Sequence, residues 1–353
     1  MQPEIQDRAV HSPLVSIAMP AFNCAGTITR AVGSCLEQSY GNIEVVVVDD
    51  GSVDATPARL ASIDDARLRV IRQSNGGLAM ARNAAMRASS GEFVAWMDAD
   101  DIMDRERITL QVAVLLRQPA VVLVSSDFAA FVDESADIDR SHIGFYYHAA
   151  GAAPGGVCSF YRERSEFTSD AGRALTVCSG RVYPQILWGN FVHPPTVMLR
   201  RRGIDVAGAL DEALRNSCDY DFILRMARLG DFAYLDAPLL RYRYAEGQLS
   251  GSRNLALIKC ETARILEKAI VQDSLVYRAH KRRIDRRIAL SLIGAAKILM
   301  DEGRHAEALR LLLRSCRRNL VPTQVVKALL HAIPAQLRGR RSSSILPRSP
   351  GED

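Results

Sequence analysis

The chain has 353 residues, 48% hydrophobic and 24% charged, the balance of an ordinary globular protein with room for about two units. Its apolar runs fall short of the ~18 residues that span a bilayer, and the N-terminus lacks a basic-then-apolar signal pattern, so the protein is expected to stay in the cytoplasm. Seven cysteines without a Cys-x-x-Cys pair argue against a disulfide framework and a structural zinc site and for reduced thiols, several of them in the core; the net charge of +5 conceals a strongly basic C-terminal part.

Residues 1–13 are polar, contain Pro3 and Pro13, and read as a loose leader. From Leu14 strands and helices alternate. Strands are expected at Leu14–Pro20, Ile43–Asp49, Leu68–Arg72, Phe93–Asp98 and Ala120–Ser125, with helices at Thr27–Gln38, Thr56–Ile63, Leu78–Ser89 and Arg105–Arg117. Successive units of this length predict a mostly parallel sheet covered by helices on both faces. In such sheets ligands bind beyond the carboxyl ends of the strands. Three strand ends therefore face one crevice: Pro20-Ala21-Phe22-Asn23, Asp49-Asp50-Gly51-Ser52 and Asp98-Ala99-Asp100-Asp101. A dinucleotide-binding Rossmann unit is the competitor, but its glycine fingerprint is missing after the first strand.

The run Phe93-Val94-Ala95-Trp96-Met97 ends abruptly in Asp98, Asp100 and Asp101, which are too costly to bury unless a positive group sits among them. A divalent cation is the simplest partner, and hard oxygen ligands select Mg²⁺ or Mn²⁺, which complete their shells with water and substrate phosphates. The bland alternative is an Asp-rich turn in which Asp104 caps the next helix. The loop Gln73-Ser74-Asn75-Gly76-Gly77 allows a tight turn with backbone close to a ligand, and the helix start behind it favours anionic groups. Arg82, about one and a half turns in, either reaches back to the crevice or is a solvated surface charge.

VSIAMPAFN, EVVVVDDGSVDAT, NGGLAMARNAA and GEFVAWMDADD, in this order and spacing, resemble the N-terminal half of a family 2 glycosyltransferase over roughly residues 14–105. The resemblance implies a GT-A fold, a Rossmann-like α/β sheet flanked by helices, and inverting transfer from a nucleotide-diphosphate sugar, with a UDP-sugar expected, to an acceptor hydroxyl in surface polysaccharide or glycan synthesis. It implies a donor site at Pro20, Ala21, Phe22, Asp49, Asp50, Asn75, Gly76, Gly77, Arg82 and Asp98, and a metal, Mg²⁺ or Mn²⁺, at Asp98 and Asp100. A sugar-1-phosphate nucleotidyltransferase is one alternative on a related sheet, but nothing between Met19 and Thr29 supplies its Gly-rich phosphate loop. A catalytically silent binding protein is the other rival, and the joint presence of Asp98, Asp100 and Asp219 argues against it.

From Asp133 to Val182 the chain is irregular and gives little physical handle; His142 and His148 there read as surface residues. The block Leu187–Arg201 resembles the acceptor side of the family, which implies Trp188 and His193 near the acceptor pocket, with a purely structural loop histidine as the alternative for His193. In Cys218-Asp219-Tyr220-Asp221, a helix with two acids in its first turn, the resemblance makes Asp219 the catalytic base, although Cys218 stands where the family usually has Glu. Asp221 and Arg225 read as structural. Tyr242-Arg243-Tyr244-Ala245 lacks the family's histidine at Ala245, which leaves Arg243 or Arg253 to face the leaving group. From Leu255 the pattern is helical, and Leu255–Arg341 carries nineteen Lys and Arg against seven Asp and Glu, with the clusters Lys281-Arg282-Arg283 and Arg286-Arg287. Either these clusters make a solvated helix face, or they attach the protein to an anionic membrane surface on the inner face, where a lipid-linked acceptor would be met. The expected division is a leader (1–13), a glycosyltransferase domain (14–254) with nucleotide-sugar-binding (14–130) and acceptor-side (131–254) halves, a helical extension (255–335) and a disordered tail (336–353). The partners implied are the nucleotide-sugar donor and a carbohydrate or lipid-linked acceptor, with no nucleic acid.

Overall fold

The computed structural model describes residues 12–132, 137–139, 141–168, 172–245, 248 and 251–318. The expected leader, apart from its last two residues, and the expected tail lie outside them. The described strands form one sheet: β1 (Val15–Ala21), β2 (Ile43–Asp49), β3 (Leu68–Arg72), β4 (Phe93–Trp96), β5 (Ile102–Met103), β6 (Val121–Phe131), β7 (Asp137–Asp139), β8 (Glu163–Thr168), β9 (Ala174–Gly180), β10 (Met198–Arg200) and β11 (Asp231–Arg243). The main path runs β3-β2-β1-β4-β10-β6-β11-β9-β8, with β5 on β11 and β7 on β6. The β3-β2-β1-β4 stretch is parallel throughout. β1 and β4 are buried along their whole length, which is why they read as apolar runs, with Ser16 the one polar residue between them. At β10 the sheet turns antiparallel to both neighbours. The ends of β1, β2 and β4 therefore open where the order of strands reverses.

β4 stops at Trp96, two residues before the expected end of the strand, and this leaves Asp98 in the turn that follows. The short β5, paired with β11, intervenes before the helix Arg107–Arg117, which starts two residues later than its pattern suggests. Asp104 accepts from the Glu106 N–H at 3.0 Å and so shapes the turn ahead of the helix, but the cap position is Glu106 and no side chain caps it, so the helix cap that the bland reading gave to Asp104 is not formed.

The C-terminal helices Leu255–Gln272, Ser274–Asp301 and His305–Cys316 do not stand apart. Leu266, Ile284, Ile288 and Leu292 join the same apolar core as the sheet, while Ile293, Leu299 and Leu312 tie the helices to one another in a smaller cluster. Gly303 breaks the last two helices apart with a φ of 78°. Asp273 caps the long helix by accepting from Val276 N–H at 3.1 Å.

One expectation is corrected here. Cys158 and Cys178 form a disulfide, with Cα atoms 5.5 Å apart. The turn Val157–Phe160 folds against β9, a tertiary contact that an odd cysteine count and the absence of a Cys-x-x-Cys pair cannot reveal. Cys35 and Cys218 are buried free thiols as expected, and burial pushes both up to about 12.

Candidate active site

A cavity of about 990 Å³ lies over the ends of β1, β2 and β4. It brings together Pro20, Ala21, Phe22, Asp50, Asn75, Gly77, Arg82, Asp98, Asp100, His193 and Asp219 from stretches far apart in the chain.

The first two strand ends are stapled together. Asn23, at a left-handed φ of 48°, accepts from the Val53 N–H at 2.9 Å, and its own N–H donates to Ser52 Oγ at 2.9 Å. Asp49 turns away from the cavity. Its Oδ1 accepts from Ser52 N–H and its Oδ2 lies 3.4 Å from Arg72, so it holds the turn and is not among the residues that line the cavity. Asp50 is on the wall, but both of its oxygens are engaged: Oδ1 accepts from Gln73 Nε2 (2.7 Å) and Gly76 N–H (2.9 Å), and Oδ2 from Gly77 N–H (2.8 Å). The anion expected at the start of the helix Leu78–Ala88 is thus supplied by the protein itself. Gly51 makes this possible, because at its φ of 77° a Cβ would stand 2.8 Å from the Asn75 backbone nitrogen. Gly76 shapes the loop without lining the cavity.

Arg82 is no solvated charge. It is 1% exposed, donates to Asp98 Oδ1 at 2.5 Å and lies 4.8 Å over the Trp96 ring. The three acids after β4 separate into different environments. Asp98 and Asp100 face the cavity, and burial together with the neighbouring Asp98 charge raises the Asp100 carboxyl above its ordinary range. Asp101 instead turns inward, fully buried, and accepts from the Arg243 N–H at 2.9 Å. Burial first, and then the charges of Asp100 and Asp98, push it well above the carboxylate range. Beneath the acids Arg107 is fully buried, donating to the carbonyls of Trp96 (3.0 Å) and Val197 (3.1 Å), and burial brings it down to about 10.

Asp219 sits in the first turn of the helix Cys218–Leu229 and lines the same cavity. Burial pushes its carboxyl up to about 6, against the opposing pull of Arg82. Asp221, two residues on, points elsewhere and bridges Arg225 (2.9 Å) and Lys268 (3.1 Å), the structural role expected of it.

The acceptor-side expectations divide. His193 lines the cavity as a neutral ring: burial brings it down to about 3, it stacks on Phe128 at 4.0 Å, and its Nδ1 is 3.2 Å from the Tyr147 hydroxyl. Trp188 is not on the cavity wall. It is covered by the long C-terminal helix, with Arg283 4.3 Å over its ring and His280 5.1 Å away. His148 is exposed as expected, but His142 is buried, with Nε2 3.0 Å from the Tyr244 hydroxyl. Tyr146, Tyr147, Asn216, Tyr242 and Gln248 also line the cavity, as does Arg287 from the extension. The Tyr146-Tyr147 pair was the one available signal among these, set in an otherwise irregular stretch.

Among the described residues no group of three or more His, Cys, Asp or Glu side chains is arranged to hold a metal ion. The candidate donor set is the pair Asp98 and Asp100, two hard carboxylates close enough that the charge of Asp98 adds to burial in raising Asp100. That pair fits Mg²⁺ or Mn²⁺, which commonly take one or two carboxylates and leave their other positions to water and substrate phosphates.

The model of Glycosyl transferase family 2 matches residues 16–164. An uncharacterised glycosyltransferase of Rickettsia prowazekii is 36% identical over 69% of this chain and 68% of its own length. The chain spans about a quarter of the length of the chondroitin and hyaluronan synthases of Pasteurella multocida, to which it is 26% and 24% identical (23% and 24% of their lengths). Two solved structures share its fold. S. aureus TarS 1–349 in complex with UDP-GlcNAc has a TM-score of 0.53 at 17% identity, over 93% of this chain and 92% of that one. The mannosyltransferase PcManGT of Pyrobaculum calidifontis in complex with GDP-Man and Mn²⁺ has a TM-score of 0.53 at 16% identity, over 94% and 89%. With motifs, fold and relatives in agreement, the chain belongs to glycosyltransferase family 2.

Proposed function

We propose that the cavity transfers a sugar from a nucleotide-diphosphate donor to an acceptor hydroxyl with inversion, in the assembly of a polysaccharide or other glycan. The observation that carries this reading is the meeting of Asp219 with the Asp98/Asp100 pair in one cavity, each presented by a different element. The turns after β1 and β2 and the loop organised by Asp50 form the donor side. Arg82 holds Asp98 in place, and Asp98 and Asp100 are the residues that would hold Mg²⁺ or Mn²⁺. Such an ion neutralises charge on a departing diphosphate. Asp219 accepts the proton of the acceptor hydroxyl as that oxygen attacks the anomeric carbon, and attack opposite the leaving group inverts the configuration. A base near 6 is ionised at neutral pH and still basic enough to take a proton in the transition state. Arg243, which lines the cavity and whose charge is felt by Asp100, would meet leaving-group charge where the family's histidine is replaced by Ala245.

A UDP-sugar donor is supported by the UDP-GlcNAc complex of the S. aureus structure, and a divalent ion by the Mn²⁺ of the Pyrobaculum structure. The names of the Pasteurella synthases support a carbohydrate acceptor in a growing polymer. A lipid-linked acceptor at an anionic membrane surface is the second form of this reading, and Arg278, Lys281, Arg282 and Arg286 are exposed on the long helix with Leu275 near them. Lys281 is tied to Asp285 and Arg314 to Glu267, so part of the basic excess is spent within the helices. No helix among the described residues is long and apolar enough to cross a membrane. The test is incubation with a panel of nucleotide sugars and acceptor glycans, reading nucleotide release and the anomeric configuration of the product by NMR. Inverted product supports the reading, and retained configuration overturns the mechanism given for Asp219.

A further inference from the structure

Three arginines reach the cavity wall. Arg82 is paired with Asp98, and Arg243 lies where its charge is felt by Asp100. Arg287 differs from both. It comes from the helix Ser274–Asp301, is half-buried, and its Nη1 donates only to neutral oxygens, the carbonyls of Ile186 (2.8 Å) and Leu187 (3.0 Å) and the Tyr220 hydroxyl. Its guanidinium lies 5.0 Å over the Tyr220 ring, and among the described residues it makes no ion pair. A partly desolvated cation without a counter-charge is costly, and neutral carbonyls offset that cost only in part. The missing counter-charge can arrive from the cavity. Ile258 and Thr262 of the preceding helix and Asn216 line the same cavity, and Tyr220 directly follows Asp219. An acceptor carrying negative charge would otherwise face Asp98, Asp100 and Asp219 with no attractive partner on its own side.

We propose that Arg287, with Asn216 and Thr262, forms an anion subsite that holds a phosphate or carboxylate group of the acceptor close to its attacking hydroxyl. This rests on the transfer reading above and gives the helical extension a part in acceptor choice. The shared chemistry has two sources, the diphosphate of a lipid-linked sugar and the carboxylate of an acidic sugar.

Three probes separate them: a sugar on a short prenyl diphosphate, the same sugar on a neutral alkyl chain, and an oligosaccharide ending in a uronic acid. Their binding is measured by calorimetry to the full chain with UDP and Mn²⁺ present, in the parent, Arg287→Gln and Arg287→Lys. At least one anionic probe is expected to bind about ten- to a hundredfold more tightly than the neutral one, as charged hydrogen bonds allow. Arg287→Gln should erase that ratio and Arg287→Lys should keep part of it, with UDP affinity within about twofold in all three proteins. The proposal is overturned if the neutral probe binds as tightly as both anionic ones, if neither anionic probe binds, or if the ratio survives Arg287→Gln. It is overturned equally if Arg287→Lys behaves as Arg287→Gln while both lose thermal stability, which marks a purely structural anchor. A parent protein that binds no nucleotide sugar would fail the transfer reading first, a result visible before any acceptor is added.

Discussion

Replacing Asp219 with Asn keeps the shape of the side chain and removes its capacity to take a proton, so it should separate chemistry from folding in one variant. General-base removal costs about 10² to 10⁴ in rate, and kcat should fall by that amount while donor affinity holds, since the proposed donor side is made by other residues. Stability should move the other way. The folded protein raises this carboxyl from 3.8 to about 6, chiefly by burial, so the protonated form is favoured in the fold and the ionised form is penalised. The resulting stabilisation is fully present below the unfolded value and is lost as pH rises through about 6. A shift of this size corresponds to at most ~3 kcal/mol, reduced because the side chain is part exposed, so about 1 to 3 kcal/mol is expected. Asp219→Asn escapes that loss. Its melting temperature should match the parent near pH 4 and exceed it by a few degrees at pH 8. The parent's kcat should rise with pH to a plateau above about 6, as the base ionises. The assay pairs nucleotide release against pH with melting curves against pH. Near-parental kcat in Asp219→Asn, or a variant less stable than the parent at pH 8, would refute the assignment of a buried base at this position.

Asp221→Asn should do the opposite, losing about 2 kcal/mol because Arg225 and Lys268 are left without their shared carboxylate, while kcat per folded molecule changes little; denaturant melts and active-site titration check it. Cys158→Ser should lower stability by about 2 to 4 kcal/mol, and the same loss should appear in the parent on full reduction; equal melting with and without reductant would remove the cross-link from the account. Flotation with anionic and neutral liposomes should recover the protein on anionic vesicles only, with recovery falling as salt rises; equal recovery on both, or none on either, removes electrostatic docking.

The parallel half of the sheet was legible because β1, β2 and β4 are covered on both faces and so appear as largely apolar runs, interrupted by Ser16 and Glu44, that end in polar turns. The acids after β4 were legible for the same reason, since buried apolar sequence that stops at carboxylates announces a strand end. Their separate fates were not. Whether Asp98 and Asp100 face the cavity while Asp101 goes under it depends on where Arg107 and the Arg243 amide lie in space. Asp49 and Asp50 are adjacent and chemically identical, and only the fold shows one holding a turn and the other organising the loop before the helix Leu78–Ala88. The acceptor side was the least legible, because its wall is assembled from irregular segments and from a helix a hundred residues downstream of them. Trp188 was expected at the pocket from the family resemblance, but Arg283 covers it, whereas Arg287, in a cluster that reads as surface charge, turns inward.

The central claim is that Asp98 and Asp100 bind the donor's diphosphate through a divalent ion, and thermal stabilisation by nucleotide sugars tests it most directly. At about a hundred times its dissociation constant a donor should add ~2.7 kcal/mol to the folded state. That gain should appear in the parent with Mn²⁺, vanish with EDTA, and be absent in Asp100→Ala, which should also lose transfer. Stabilisation of Asp100→Ala in EDTA equal to that of the parent in Mn²⁺ would contradict the account.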